Sequence, residues 1–546
     1  MSPQRAFDYV VVGGGSAGCI VAARLAEQRC GSVLLLEAGQ PAQLNPETLT
    51  ADGFKYAFAN DRVMWDRMSA PQPRCARRSV YMGSGTGMGG SGSVNGMVYT
   101  RGDKLDYAQW PQGWQWKSVA PAFQALEKRL RVRPRAPTVM TEIALKAAAH
   151  VGFERKDGLN DGQLCGFMGY NDMNYDGPHR RSSYTAFLHQ RVLSDLTIET
   201  GAIAHRILFD AQRTAVGLEF EVAGRRETVT VKRQLILCAG ALETPKLLML
   251  SGVGPRDQLE ALGIPVVLEQ PAIGQNLQDH PNVCLFYRGR QKVDFAHPQV
   301  YGFGRSNPAS ALPQKQADTC FTFMAAPITL KQSMYRMLPA LALPGKWFYN
   351  PLLRGLLRRL IDFAFLWPFV ESFVDRIYGV VVILGKPKSR GQLRLASASV
   401  HDQALIDPAY FNEPEDLETL LRGVNIAKQI AHQKRFAAWG NIPLGRAGHS
   451  DDRQTLERWV HGATMTTFHY CGTCSMGDGD GAPVDATLKV KGVSNLRVAD
   501  ASAIPAIPVS ALNAPTMMIA YRAADFIIAE AAGKREQTKQ RKVVKS

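Results

Sequence analysis

A chain of 546 residues, 45% hydrophobic and 21% charged, has the balance of a globular protein of two or three domains with a sizeable core. Lysine and arginine outnumber acids 64 to 48, a formal net charge of +16. Without zinc-finger spacing or an aromatic RNA-binding signature, that charge is read as solvated surface or contact with an anionic membrane, not as a nucleic-acid site.

The chain opens MSPQRAFDYVVVGGG, with no signal-peptide pattern, and its nine scattered cysteines make no disulfide framework. Reduced thiols in a cytoplasmic setting are expected. Residues 7–12 (FDYVVV) read as a buried strand running into Gly13-Gly14-Gly15-Ser16-Ala17-Gly18. A helical stretch, CIVAARLAEQ, follows, then a second apolar strand at 33–36 that ends in Glu37. G-x-G-x-x-G at the first turn, with an acid about 20 residues on, is the dinucleotide-binding fingerprint. Gly13, Gly15 and Gly18 would let backbone approach a pyrophosphate at a helix N-terminus, and Glu37 would accept ribose hydroxyls.

Residues 83–96 (GSGTGMGGSGSVNG) hold seven glycines and read either as a linker or as main chain laid against a ligand. A third buried strand at 234–238 leads into AGALETPKLLMLSGVGP. There Thr244 is expected to cap a helix that Pro245 opens and Gly252 closes. Residues 273–281 (IGQNLQDHP) read as a polar surface turn. Residues 328–379 are unusually apolar and aromatic, yet Lys331, Arg336, Lys346, Arg354, Arg358 and Arg359 fall there with no acid among them. No uncharged run approaches the roughly 20 residues of a membrane span. Two readings stay open, a packed cap and a segment lying in an anionic headgroup region.

Residues 466–477 (TTFHYCGTCSMG) set Cys471 and Cys474 just after His469. Zinc would need two further ligands, and no second Cys/His pair is spaced to supply them, so no metal is expected. A short strand at 495–498 leads to Asp500 and Ala501, and the last helix starts around Asn513-Ala514-Pro515. The tail, 534–546, has six basic residues against one acid and reads as disordered.

VVGGGSAGC, LLLEAG, MGGSGSVNGMVYTRG, AGALETPKLLMLSGVGP, IGQNLQDHP, FHYCGTCSMG, LRVADAS and NAPTMMIAYRAAD, in this order, span nearly the whole chain. Together they resemble the glucose–methanol–choline (GMC) oxidoreductase family of flavoproteins. The resemblance implies an α/β fold, with a discontinuous Rossmann-like FAD-binding domain and an interleaved α+β substrate domain on an antiparallel sheet. The FAD-binding parts fall at 1–155, 191–283 and 458–533. The substrate parts fall at 156–190 and 284–457, with the cap at 328–379.

By the same resemblance, His469 is the base that takes the alcohol proton, and Asn513 orients the substrate oxygen. Gly13, Gly15, Gly18 and Glu37 hold FAD; Ser91, Asn95, Gly96 and Met97 line the flavin; Ile203 lies near the adenine. Asp500 and Ala501 lie near the pyrophosphate. The helix opened by Pro515 would aim its positive end at the flavin. Position 94, a tethering histidine in some relatives, is Val94, so FAD is expected to be noncovalent. Tyr470, Gly92 and Thr86 depart from the family pattern. The cysteines need no role.

The implied reaction is oxidation of a primary, hydrophobic, aliphatic alcohol to the aldehyde. Choline-type and aryl alcohols are the alternatives. A flavin photodecarboxylase would lack His469, and a non-catalytic flavin-binding protein would be expected to lose His469 or Asn513. The acceptor is open among oxygen, a quinone or another carrier.

Overall fold

The computed structural model describes residues 5–343 and 345–545; the side chains of Ile328 and of residues 534–545 lie outside that description. Among the described residues, seven strands form the first sheet. Its parallel part runs in the order Leu196–Thr200, Val33–Glu37, Arg5–Val12, Arg225–Leu237 and Leu496–Val498. Ala215–Val222 and Ala202–Phe209 extend it antiparallel from the first half of Arg225–Leu237. Val10, Val11, Leu34, Leu35, Leu235 and Ile236 are fully buried, as a parallel sheet covered on both faces requires. The helix Gly18–Glu27 covers one face and packs against the final helix, where the Arg24 guanidinium lies 3.5 Å from the centre of the Tyr521 ring.

The register decides where a site can be. Val12 stands beside both Leu36 and Leu237, and Leu237 beside Val498. Gly13, Glu37, Cys238 and Ala499 therefore leave the sheet at one carboxyl edge, the edge at which open α/β sheets bind ligands.

Among the described residues the second sheet has eight strands, antiparallel except for Glu154–Arg155 beside Phe167–Tyr170. Its centre is Pro281–Arg288, Ile377–Leu384, Thr319–Ala325 and Val300–Gly304. The cap helices Ala326–Ala342, Pro351–Ala364 and Pro368–Val374 are one elaborate connection between two of these neighbours, since Ala325 pairs with Tyr378.

Three expectations change here. The helix after the strand Arg225–Leu237 is Gly240–Leu250, so Thr244 and Pro245 lie inside it. Asp500 makes that start viable: its carboxylate accepts the Gly240 N–H (2.8 Å) and the Thr244 hydroxyl (2.6 Å). Pro245 has no N–H for the Ala241 carbonyl, and the Thr473 hydroxyl donates to it instead (2.7 Å).

The cap's cations are not unopposed either. Fully buried Arg336 pairs with Asp61 and Asp66, as does Arg354; Arg358 pairs with Asp61, and Lys331 with Asp362. Asp61 and Asp66 come from the first hundred residues, so no window around the cap could reveal them. The last helix, finally, is Asn513–Lys545 and continues into the segment 534–546 expected as a disordered tail; the side chains of that segment lie outside the described residues.

Candidate active site

A cavity of about 850 Å³ runs from the carboxyl edge of the first sheet to the inner face of the second. At its first end the turn after Arg5–Val12 is shaped by contact. A Cβ on Gly13, whose φ is +102°, would lie 2.5 Å from the Cys238 carbonyl oxygen. Gly18 has the opposite duty from the expected one: it lies outside the wall, and its Cβ would stand 1.8 Å from the Gly13 oxygen. It packs the helix onto the turn.

Gly13, Gly15, Ser16 and Ala17 do line the cavity. The helix they lead into has no side-chain cap and no acid in its first turn, which leaves its amides for an anion. This donor set fits the pyrophosphate of FAD.

Glu37 reaches the wall, but its carboxylate is engaged by main chain. It accepts the N–H groups of Gly14 (2.6 Å), Gly39 (2.8 Å) and Gly87 (2.9 Å), and so ties three glycine-bearing turns together. Burial still pushes its carboxyl up, against those bonds. Asp500 likewise spends its carboxylate on Gly240, Thr244 and Ser502, while Asp500 and Ala501 remain on the wall. Ile203 lines the far end with Ala202 and Ala204. One metal-capable group among the described residues stands near that end: Glu221 Oε2 lies 3.2 Å from His205 Nε2 and 3.6 Å from His401 Nε2.

Further along, Ser91, Asn95, Gly96 and Val94 form the wall. Val94 has no nucleophile to offer a flavin. Met97 is absent from the wall: at φ +63° its side chain turns away and is buried with Ala51 and Met173. Pro515 is absent too, while Leu512, Asn513 and Thr516 face the cavity. Arg180, unnoticed in the sequence, holds this loop. It is fully buried and donates to Gly92 O (3.1 Å), Asn95 Oδ1 (2.8 Å) and Asn95 O (2.7 Å). Among the described residues no carboxylate pairs with it, and burial lowers its guanidinium to about 9.

His469 and Asn513 line the same cavity, and Asn513 stands beside the first turn. Ser16 donates its hydroxyl to Asn513 Oδ1 (2.7 Å), leaving both amide N–H donors for a substrate oxygen. His469 Nδ1 lies 2.9 Å from His280 Nδ1, with the rings at 88°. Enclosure lowers His469 to about 3, and burial with His469 alongside drives His280 well below its ordinary value. Both rings are therefore neutral at ordinary pH.

Asp279 fixes the loop beneath. It accepts the His469 N–H (2.8 Å), the Thr466 hydroxyl (2.6 Å) and the Tyr410 hydroxyl, and burial pushes its carboxyl up to about 6. The segment 273–281, read as a surface turn, thus carries two buried side chains, Asp279 and His280, that contact His469. Its polarity concealed them, because Gln278 and Cys471 exchange main-chain hydrogen bonds across 193 positions of chain. Cys471 and Cys474 are free, buried, and raised by burial, and no metal-capable group among the described residues includes them.

A pH dependence follows from these values. As pH falls through about 6, Asp279 gains a proton and one of its three donors loses an acceptor, while His469 stays neutral. kcat/KM is expected to be flat near neutrality and to fall below about pH 6. In Asp279→Asn, whose residual rate will be lower, that limb should vanish; a limb kept there would assign it elsewhere.

Around His469 the wall is aromatic and apolar. Phe58, Met64, Trp65, Tyr349, Phe468 and Tyr470 line it, with the Phe58 and Phe468 ring centres 6.0 Å apart.

Models of the GMC oxidoreductase family match residues 7–282 and 387–520. The chain is 31% identical to an oxygen-dependent choline dehydrogenase of Chromohalobacter salexigens, over 96% of each chain. It is 32% identical to an alcohol dehydrogenase [acceptor] of Pseudomonas putida, again over 96% of each. Among solved structures, pyridoxine 4-oxidase from Mesorbium loti superposes with a TM-score of 0.82 at 28% identity, covering 95% of this chain and 98% of that one.

Proposed function

The chain belongs to the GMC oxidoreductase family, and on that premise we propose that it oxidises a primary, hydrophobic, aliphatic alcohol to the aldehyde with His469 as base. FAD, the family's cofactor, accepts the hydride from the alcohol's α-carbon when bound. The protein's own residues do the rest.

The observation that carries this reading is the pairing of His469 and Asn513 with an aromatic, apolar wall in one cavity. Asn513 donates to the alcohol oxygen and so turns the hydroxyl proton toward the base. The Nδ1···Nδ1 contact allows a tautomer in which His469 donates its Nδ1–H to His280 Nδ1, and in that tautomer His469 Nε2 is left as a lone pair. In this reading His280 is a positioning residue that holds His469 in its basic tautomer. The aromatic rings keep water from competing for it.

Choline-type substrates fit less well. Two acids of the wall already face cations: Asp66 meets Arg336 and Arg354, and Glu243 meets Arg67. Neither offers a free carboxylate to a quaternary ammonium. The relatives' names, a choline dehydrogenase and an alcohol dehydrogenase, span both alternatives, so the choice rests on the wall.

Among the described residues no helix is long and apolar enough to cross a membrane. A cytoplasmic enzyme touching a membrane peripherally is the reading we adopt. A chain-length series tests the substrate. kcat/KM should rise roughly fourfold per added CH2 along the primary alkanols, the ratio that ~0.8 kcal/mol per methylene gives. A series flat with length, or choline as the best substrate, would refute it.

A further inference from the structure

The cap is amphipathic the wrong way round for a helix in water. On Pro351–Ala364, Arg354 and Arg358 turn inward to Asp61 and Asp66. Leu352, Leu356, Leu360 and Phe363, spaced four, four and three apart, form one outward stripe, each more than half exposed and Leu352 82% exposed. Leu366 (74%) and Phe369 (69%) carry the face on toward and into the next helix, Pro368–Val374. A cap that only covered a cavity would place its leucines and arginines the other way about.

We propose that this face inserts into a lipid bilayer and takes up the alcohol substrate from it. The inference rests on the hydrophobic-alcohol reading for what is delivered, but not for the docking itself. Three features identify the occupant as lipid. Trp347 and Trp367 are half exposed along the face, with exposed Lys346 and Arg359 near them, the aromatic and basic border that a headgroup layer accepts. The exposed stripe itself is leucine and phenylalanine and presents no side-chain hydrogen-bonding group. The face is also continuous with the site: Tyr349, which lies between Trp347 and Leu352 in the chain, is part of the cavity wall. An alcohol dissolved in the bilayer would reach His469 without crossing bulk water.

The charge pairing determines what kind of binding this is. Arg336, Arg354 and Arg358 are engaged by Asp61 and Asp66, so they offer little to anionic headgroups. Attachment rests on apolar burial, and it should not depend on anionic lipid.

Co-sedimentation of the holoenzyme with vesicles of phosphatidylcholine alone, and with vesicles containing phosphatidylglycerol, tests this. Wild type should pellet with both, and at about 1 M salt, where the screening length is ~3 Å, it should still do so. The triple variant Leu356→Glu, Phe363→Glu, Phe369→Glu should partition about tenfold less or worse, since a buried apolar face has become charged. Its kcat/KM for a short, water-soluble alcohol should stay at the wild-type value, which reports an intact fold and site. Three results would overturn the proposal: wild type left in the supernatant with both vesicles, binding that needs anionic lipid and is lost in salt, or a solution dimer that the same variant dissociates. Vesicle binding by a protein inactive on every alkanol would refute the substrate reading and leave the docking face standing.

Discussion

His469→Ala is expected to keep FAD bound and to lose turnover by roughly two to four orders of magnitude, the usual contribution of a positioned general base. The site's layout separates the two properties. The donors that fit the cofactor's pyrophosphate are main-chain groups of Gly13, Gly15 and the helix start, whereas the His469 ring is hydrogen-bonded to His280. Removing the imidazole also leaves Asp279 its main-chain bond to position 469, so the loop should hold its shape. Asn513→Ala should lose less, because it removes one orienting hydrogen bond and no base. Flavin content, measured beside turnover, distinguishes lost chemistry from lost cofactor. Full activity in His469→Ala would remove it from the mechanism.

Asp66→Ala is expected to destabilise the protein by ~3–5 kcal/mol, the range for breaking a buried ion pair from one side. Arg336 is the reason. It has no exposure, and it is held by Asp66, by Asp61 (3.0 Å) and by the Phe58 carbonyl (2.7 Å). Asp66 also accepts from Tyr81 (2.8 Å) and Arg354 (2.7 Å), so its loss strands three donors at the joint between the cap and the first hundred residues. Denaturant unfolding reads the effect, and the double variant Asp66→Ala, Arg336→Met should regain part of it by removing a buried charge left with Asp61 alone. A loss below ~1 kcal/mol would mean that water replaces the carboxylate.

These two predictions lie on opposite sides of what the sequence made legible. The turn at Gly13 and the acid that ends its strand at Glu37 could be read because each is announced by neighbours within a few residues; His469 stood out only through the family resemblance. Four of the five parallel strands were legible locally too, as short apolar runs, whereas Leu196–Thr200 (LTIET) has no such run and was not read. Residues whose partners are distant were not. Asp279 and His280 looked like a polar turn because the Cys471 backbone that buries them is far along the chain. The cap's arginines looked unopposed because Asp61 and Asp66 precede them by more than 250 residues. Thr244 looked like a cap because Asp500, which performs that function, follows it by 256 positions. Met97, Gly18 and Pro515 were assigned by motif to the cofactor's surroundings, yet none of the three lines the cavity: Met97 turns away at φ +63°, and Gly18 packs its helix against the Gly13 carbonyl. Proximity in sequence carries composition and local turn chemistry; it carries no information about which charges meet across the fold.

The central claim, that His469 takes the proton of a hydrophobic primary alcohol, is tested most directly by anaerobic single turnover. Wild-type holoenzyme and His469→Ala are each mixed with a medium-chain primary alkanol in the absence of oxygen, and loss of the flavin's yellow absorbance is followed. Wild type should bleach rapidly, and the variant, carrying the same flavin, should bleach roughly two to four orders of magnitude more slowly. Equal bleaching rates in the two proteins, or a wild-type flavin that stays yellow with every primary alkanol, would contradict the account.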